Sequence, residues 1–348
     1  MEFNSLYQLL AWQEHSPELL ESAKTLLFIP DFFHWAMCGS LVAEFTVAST
    51  SQFVHPTRRN WSRSLLRKLG LPSHFLPEIV PPGTNLGRLR KSLAERTRLK
   101  NVKVIAPPAH DTASAVVGVP AANTGSANWA YLSSGTWSLL GVEVQKAVLT
   151  ERALQLNLTN EGGIDGTCRL LKNIMGLWVV QQCKRSFDAA GRKYDYAQLA
   201  KLAAAARPDG AIVNLDDSRF LNPPDMPAVI RELCRETGQR VPRTDGELIR
   251  CAYESLAARY RDVLGYLEGA TGQKIEVIHI VGGGSQSRLL NQFAANACRR
   301  PVLAGPVEAT ALGNLLTQIR AQGELSSLAE MREVVSKSNA VERFVCRP

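Results

Sequence analysis

Hydrophobic periodicity along the chain alternates between two registers, and each register predicts an element. Residues 248–267 place Ile249, Ala252, Tyr253, Leu256, Tyr260, Val263, Leu264 and Leu267 at the spacing of one helix face, with Gly269 and Gly272 expected to end the helix. A β-branched run over 275–281 then predicts a strand, Gly282-Gly283-Gly284 a tight turn, 287–298 a helix, 301–304 a strand and 308–320 a helix. This order of strand, loop, helix, strand and helix belongs to an α/β domain. Upstream, Ser16-Pro17-Glu18 reads as a helix start running to about Phe28, with Ser as N-cap, Pro at the first helical position and an acid in the first turn. Val102-Lys103-Val104-Ile105 reads as a short buried strand, and 129–144 as two strands turned at Ser134-Gly135. The Leu171-Lys172-Asn173-Ile174-Met175-Gly176-Leu177-Trp178 run is read as an apolar helix continuing to Gln181, which sets Asn173 and Gln181 close to one face, two turns apart.

Residues 118–128, with Pro120, Asn123, Gly125 and Ser126, look like a connection, and the domain boundary is placed there. At 348 residues and 45% apolar content the chain is long enough for two domains with sizeable cores. The most apolar stretch, 25–47, is broken by Pro30, Asp31, His34 and Glu44, and no basic start with an apolar core opens the chain, so neither a membrane span nor secretion is expected. Seven scattered cysteines form no CxxC pair, which argues against a zinc site or disulfide framework and for a reducing cytoplasm, while a contact between Cys234 and Cys251 stays open.

The net charge of +8 is concentrated: residues 58–103 hold twelve Lys or Arg against Glu78 and Glu95, so the remainder is slightly acidic. No nucleic-acid module accompanies that cluster, and it reads as a solvated surface without a nucleic-acid partner.

Three segments carry candidate chemistry. Asp111, between His110 and Thr112 and after the Pro107-Pro108 break, is expected just past a strand, where a carboxylate can take a proton from a substrate hydroxyl. His110 is a candidate orienting partner. Ser133-Ser134-Gly135-Thr136 offers hydroxyl and N–H groups to an anion, and the triple Gly at 282–284 offers a nucleotide close approach to backbone. A dinucleotide fingerprint fails, because position 287 is Ser and no acidic residue stands about twenty positions on.

These segments, together with Thr159-Asn160-Glu161-Gly162-Gly163, the Leu-Lys-Asn-Ile-Met-Gly-Leu-Trp run, Glu44-Phe45-Thr46-Val47-Ala48-Ser49-Thr50 and Gly305-Pro306-Val307-Glu308-Ala309-Thr310, resemble in order the L-rhamnulose kinase (rhamnulokinase) branch of the FGGY carbohydrate kinases. The resemblance covers nearly the whole chain. It implies an actin-like (RNase H-like) α/β sugar kinase fold of two domains with a central cleft. Residues 1–124 would be the rest of an incomplete N-terminal sugar-binding domain, and 125–348 the C-terminal nucleotide-binding domain. The implied activity is ATP-dependent phosphorylation of L-rhamnulose at its 1-hydroxyl in L-rhamnose breakdown, with ATP and Mg²⁺ as cofactors and no metal ligands assigned. Asp111 would be the proton acceptor, His110, Thr112 and Asn173 would border the sugar, and Thr136, Gln181 and Gly283 would contact ATP. In such kinases Phe3-Asn4-Ser5-Leu6-Tyr7-Gln8 lies after roughly the first quarter, so the family's Asp-x-Gly phosphate loop is expected to be missing here. The alternative is therefore a non-catalytic remnant that binds nucleotide or sugar weakly.

Overall fold

The computed structural model describes residues 3–122, 124–208 and 210–347. Its centre is a seven-stranded mixed sheet made of β1 (Trp129–Ser134), β2 (Trp137–Val144), β3 (Thr159–Gly162), β4 (Cys168–Met175), β5 (Val277–Val281), β6 (Val302–Ala304) and β7 (Glu342–Phe344). The strand order is β7-β6-β5-β1-β2-β4-β3. The first two strands form the expected hairpin, with Ser134 opposite Ser138, and β5 runs parallel to β1 on its other side, pairing Val281 with Ser133. That parallel register brings the end of β5 beside the hairpin turn.

Helices cover the sheet: α1 (Asp111–Val117), α2 (Trp178–Ala189), α3 (Asp245–Thr271), α4 (Arg288–Cys298), α5 (Ala309–Ala321) and α6 (Leu328–Ser338). A capping box between Thr244 and Glu247 starts α3, and Gly272, at φ +69°, ends it. Gly269 lies inside α3 instead of ending it. A β-hairpin core of Leu132, Leu140, Val142 and Leu170 packs against Leu248, Leu256, Val263 and Leu267 of α3, while Ala115, Val116 and Ala309 of α1 and α5 share a smaller cluster with Tyr131 and Val281. Cys234 and Cys251 are both buried in the larger core. A separate cluster in the first 80 residues joins Leu6, Leu9, Ala43, Phe53, Trp61, Leu66 and Phe75, and beside it the strand Val42–Glu44 pairs in parallel with Glu78–Val80. The neighbouring helix Ile29–Cys38 leaves Ile29, Phe32, Phe33 and Trp35 exposed.

Two helix expectations are corrected. The helix after Ser16 covers only Pro17–Ser22, and the Ser16 side chain caps no N–H group. The Leu26 N–H is instead donated to the Phe75 carbonyl at 2.8 Å, and a new helix opens at Ile29 with Pro30 in its first turn. The start with Pro17 at the first position and Glu18 in the first turn holds, while a tertiary hydrogen bond and a second proline cut the helix short of Phe28. The Leu171-to-Trp178 run is not a helix: Cys168–Met175 is strand β4, paired with β2 from Cys168 opposite Val144 to Met175 opposite Trp137. Gly176 marks its end, where a Cβ would meet the Trp137 carbonyl carbon at 2.5 Å, and α2 begins only at Trp178.

The short strand near 102–105 is present as Lys103–Ile105, paired antiparallel with Asn85–Arg88. Of the 118–128 connection, Asn123 lies outside the described residues. All twelve basic side chains of 58–103 are exposed, as expected of a solvated face.

One buried titratable group gives the fold a pH signature. His279 on β5 is 3% exposed, edge-on to Trp129 and close to Arg332, which pairs with Glu143 at 2.9 Å. Burial, helped by Arg332, lowers its pKa to about 4. The neutral ring contributes stability that is complete above the ordinary value of 6.5 and is lost as pH falls from 6.5 towards 4, because the unfolded chain then binds the proton first. The full loss is about 3 kcal/mol. Urea titrations of the parent and His279→Gln at pH 7 and pH 4.5 should show a smaller acid loss in the variant, and equal losses would remove His279 as the cause.

Candidate functional site

The segment leading into Asp111 is fixed by contacts far away in sequence. Glu44, fully buried, accepts at one carboxylate oxygen the N–H groups of Thr46 (2.9 Å), Val47 (3.2 Å) and Ala109 (2.9 Å) and the Thr46 hydroxyl (2.5 Å). The Thr46 oxygen in turn accepts the His110 N–H at 3.1 Å, and Ser114 Oγ is donated to the Pro108 carbonyl at 2.8 Å. Burial pushes Glu44 up to about 7, against the pull of these hydrogen bonds. The coil at 106–110 therefore has one geometry. Asp111 follows it as the first residue of α1, not immediately after a strand, where a carboxylate also meets the positive end of the helix.

The Asp111 side chain is 80% exposed, and its Oδ1 accepts the Thr112 N–H at 2.6 Å. His110 lies beside it, Nε2 to Oδ1 at 3.5 Å. Behind His110 stand Arg169 of β4 and Glu161 of β3: Arg169 Nη2 is 3.1 Å from His110 Nδ1 and 3.1 Å from Glu161 Oε2, and Arg169 Nε is donated to the Gly162 carbonyl at 2.9 Å. Burial, followed by the Arg169 charge, lowers the His110 pKa, with Glu161 and Asp111 opposing.

A cleft of about 380 Å³ gathers His110, Asp111, Thr112, Ser133, Gly135, Thr136, Trp137, Leu139 and Asn173, with Phe3 at its edge. Five residues expected to border sugar or nucleotide thus share one cavity although they span 64 positions of sequence. Asn173 reaches it from β4, opposite Leu139 of β2. Thr136 sits in the hairpin turn, whose Gly135 and Thr136 carbonyls accept the Leu177 and Trp178 N–H groups at 3.1 and 3.0 Å, docking the start of α2.

Gln181 and Gly283 do not line the cleft. Gln181 is joined to it through the Thr136 hydroxyl, donated to Gln181 Oε1 at 3.4 Å, and Gly283 through the turn that packs on Ser134. In that turn Gly282 carries the positive φ, +83°, and a Cβ at Gly284 would meet Ser134 Cβ at 2.5 Å. A Cβ at Gly283 would meet nothing within 4 Å. Gly283→Val should therefore fold normally, with no backbone strain involved, and, if Gly283 faces ATP as the resemblance implies, the side chain should weaken ATP binding. A nucleotide titration with circular dichroism checks both, and unchanged ATP affinity would remove Gly283 from the nucleotide contacts.

Glu44, Thr46, Glu161 and Arg169 were not picked out as individual functional candidates by sequence reasoning. Each is polar inside an otherwise apolar or motif-like stretch, which was the available signal. Among the described residues no group of three or more His, Cys, Asp or Glu is placed to hold a metal ion, and no helix is long and apolar enough to cross a membrane.

Comparison with known proteins gives consistent matches. The N-terminal domain of the FGGY family of carbohydrate kinases matches residues 1–118, and its C-terminal domain matches residues 130–322. Rhamnulokinase from Bacteroides thetaiotaomicron is 44% identical over 344 residues, covering 99% of this chain and 70% of the relative. Rhamnulokinase from Pectobacterium carotovorum subsp. carotovorum is 44% identical over 347 residues, covering 100% and 68%. In fold, ligand-bound xylulose kinase from Lactobacillus acidophilus superposes with a TM-score of 0.77 at 18% identity, over 100% of this chain and 68% of that one. Plasmodium falciparum glycerol kinase with ADP gives 0.72 at 15%, over 98% and 67%. Matched by both domain descriptions and by relatives of this identity, the chain belongs to the FGGY family of carbohydrate kinases.

Proposed function

We propose that the chain phosphorylates L-rhamnulose at the 1-hydroxyl with ATP, in the cytoplasm, as a step of L-rhamnose breakdown. The observation that carries this reading is the 44% identity to rhamnulokinase over 99% of the chain. An exposed carboxylate in a polar cleft supplies the chemistry. Asp111 accepts the proton of the sugar hydroxyl as that oxygen attacks the γ-phosphorus in line and the bond to the β–γ bridging oxygen breaks, releasing ADP. His110, Thr112 and Asn173 orient the sugar, while Thr136, Gln181 and Gly283 face the nucleotide. Residues 1–124 supply the sugar side except Asn173, and 125–348 the nucleotide side.

Mg²⁺ fits this cleft, since it keeps several waters and is held mainly by nucleotide phosphates, so it needs no cluster of protein ligands, and none is present among the described residues. When bound, it supplies neutralisation of phosphate charge. Closure of the cleft would exclude water from the reacting atoms.

The chain spans 68–70% of the length of these relatives. The test is ADP release with L-rhamnulose, L-xylulose or glycerol, ATP and Mg²⁺, measured on residues 1–348 and on the same residues completed to the relatives' length. Rhamnulose-dependent turnover is expected in the completed form and little in 1–348 alone, because phosphoryl transfer relies on positioning of the phosphates and the resemblance assigns part of that positioning to the Asp-x-Gly phosphate loop. Turnover with another sugar but not L-rhamnulose would overturn the substrate assignment.

A further inference from the structure

We propose that Arg169 is a positioning residue that holds His110 as the neutral tautomer protonated at Nε2, so that the cleft receives a hydrogen-bond donor from His110. The inference rests on the reading that the His110 and Asp111 side of the cleft holds the sugar. A guanidinium has only donors and stays protonated throughout the working pH range. Arg169 Nη2 stands 3.1 Å from His110 Nδ1, so Nδ1 must offer its lone pair, and the single proton of the neutral ring is left on Nε2. Nε2 is the nitrogen near Asp111 Oδ1, and His110 lines the cleft.

Glu161 competes for the opposite arrangement. Its Oε2 lies 3.4 Å from Nδ1 and would accept a proton there, but it is farther from Nδ1 than Arg169, whose Nη2 hydrogen is directed at Nδ1 and which meets Glu161 Oε2 at 3.1 Å as an ion pair without a hydrogen bond. The arginine cannot turn away, because it is fully buried and its Nε is tied to the Gly162 carbonyl. A doubly protonated ring would set a second cation against the guanidinium, which agrees with the downward shift of the His110 pKa. Asp111 accepts and His110 donates, a pair of complementary roles that suits one face of a sugar carrying both a hydroxyl proton to lose and an oxygen to hold.

Long-range ¹H–¹⁵N spectra of ¹⁵N-histidine-labelled protein test this, with His110 identified among the six histidines by its loss in His110→Gln. The expected wild-type result at pH 7 is a neutral ring protonated at Nε2. A ring protonated at Nδ1, or charged at pH 7, would overturn the proposal without any variant. In Arg169→Met the proton is expected to move to Nδ1, facing Glu161, with kcat lower by roughly tenfold or more and KM for ATP unchanged, since a wrongly protonated histidine loses its orienting role. Arg169→Lys, which keeps a donor and a charge, should restore part of kcat. A tautomer unchanged in Arg169→Met, or a switched tautomer with unchanged kcat, would also overturn it. With the rates measured in the form completed to the relatives' length, absence of turnover with every sugar would sink the functional reading instead, while the spectrum would still decide the tautomer.

Discussion

Asp111→Asn is expected to lower phosphoryl transfer by a factor of about 10² to 10⁴ while ATP binding stays near that of the parent protein. The substitution is nearly isosteric, and the Asn carbonyl oxygen can still accept the Thr112 N–H that Asp111 Oδ1 accepts at 2.6 Å. At 80% exposure the side chain has little packing to lose, so the fold and the first turn of α1 should persist. What disappears is the capacity to take up the hydroxyl proton. Steady-state rates with L-rhamnulose and an ATP titration, both in the form completed to the relatives' length, separate the two effects. Turnover like that of the parent would transfer the proton-accepting role to another group.

Gly313→Ala is expected to damage both stability and turnover, although the residue touches no substrate. At the crossing of α5 and α1, a Cβ on Gly313 would fall on the Ser114 carbonyl oxygen, and one on Gly118 would lie 3.1 Å from Ala309 Cα. Alanine gains up to about 1 kcal/mol of helix propensity over glycine. Overpacking against backbone costs about 1–3 kcal/mol, so the net effect is destabilising. Separating the two helices shifts α1, which starts with Asp111, or α5, whose Thr310 hydroxyl is donated to the Asp111 carbonyl at 3.3 Å, and a displacement of about 1 Å at a reacting group can cost roughly 10²-fold in rate. Thermal melting with a kcat measurement checks this. An Ala variant that melts and turns over like the parent would mean that the crossing has slack.

Residues whose signal is local were legible from the chain alone. The face of α3 was visible because its apolar positions follow one helical period, and β5, the glycine turn and α4 because β-branched residues, glycines and a new periodicity follow one another. The hairpin β1–β2 was visible from Ser134-Gly135 between two buried runs. Its parallel pairing with β5 was not, since pairing Val281 with Ser133 joins segments about 150 positions apart. Local signals failed where a partner competed for them. The β4 run is apolar enough for a helix, and only the edge of β2 turns it into a strand. The Ser16 helix ends early because Leu26 finds the Phe75 carbonyl.

The same division applies to the site. Asp111, its neighbours and the glycine turn were determined as candidates by sequence, because a carboxylate between polar residues after a proline break and three glycines between a strand and a helix are local patterns. The convergence of Asp111 and its neighbours with Thr136 and Asn173 on one cleft, the Glu44 and Thr46 clamp on the 109–110 backbone and the Arg169 contact to His110 were decided by tertiary structure alone. The reason is physical: a buried carboxylate or guanidinium is tolerable only beside partners that satisfy it, and those partners come from strands and coils that meet only once the chain has folded.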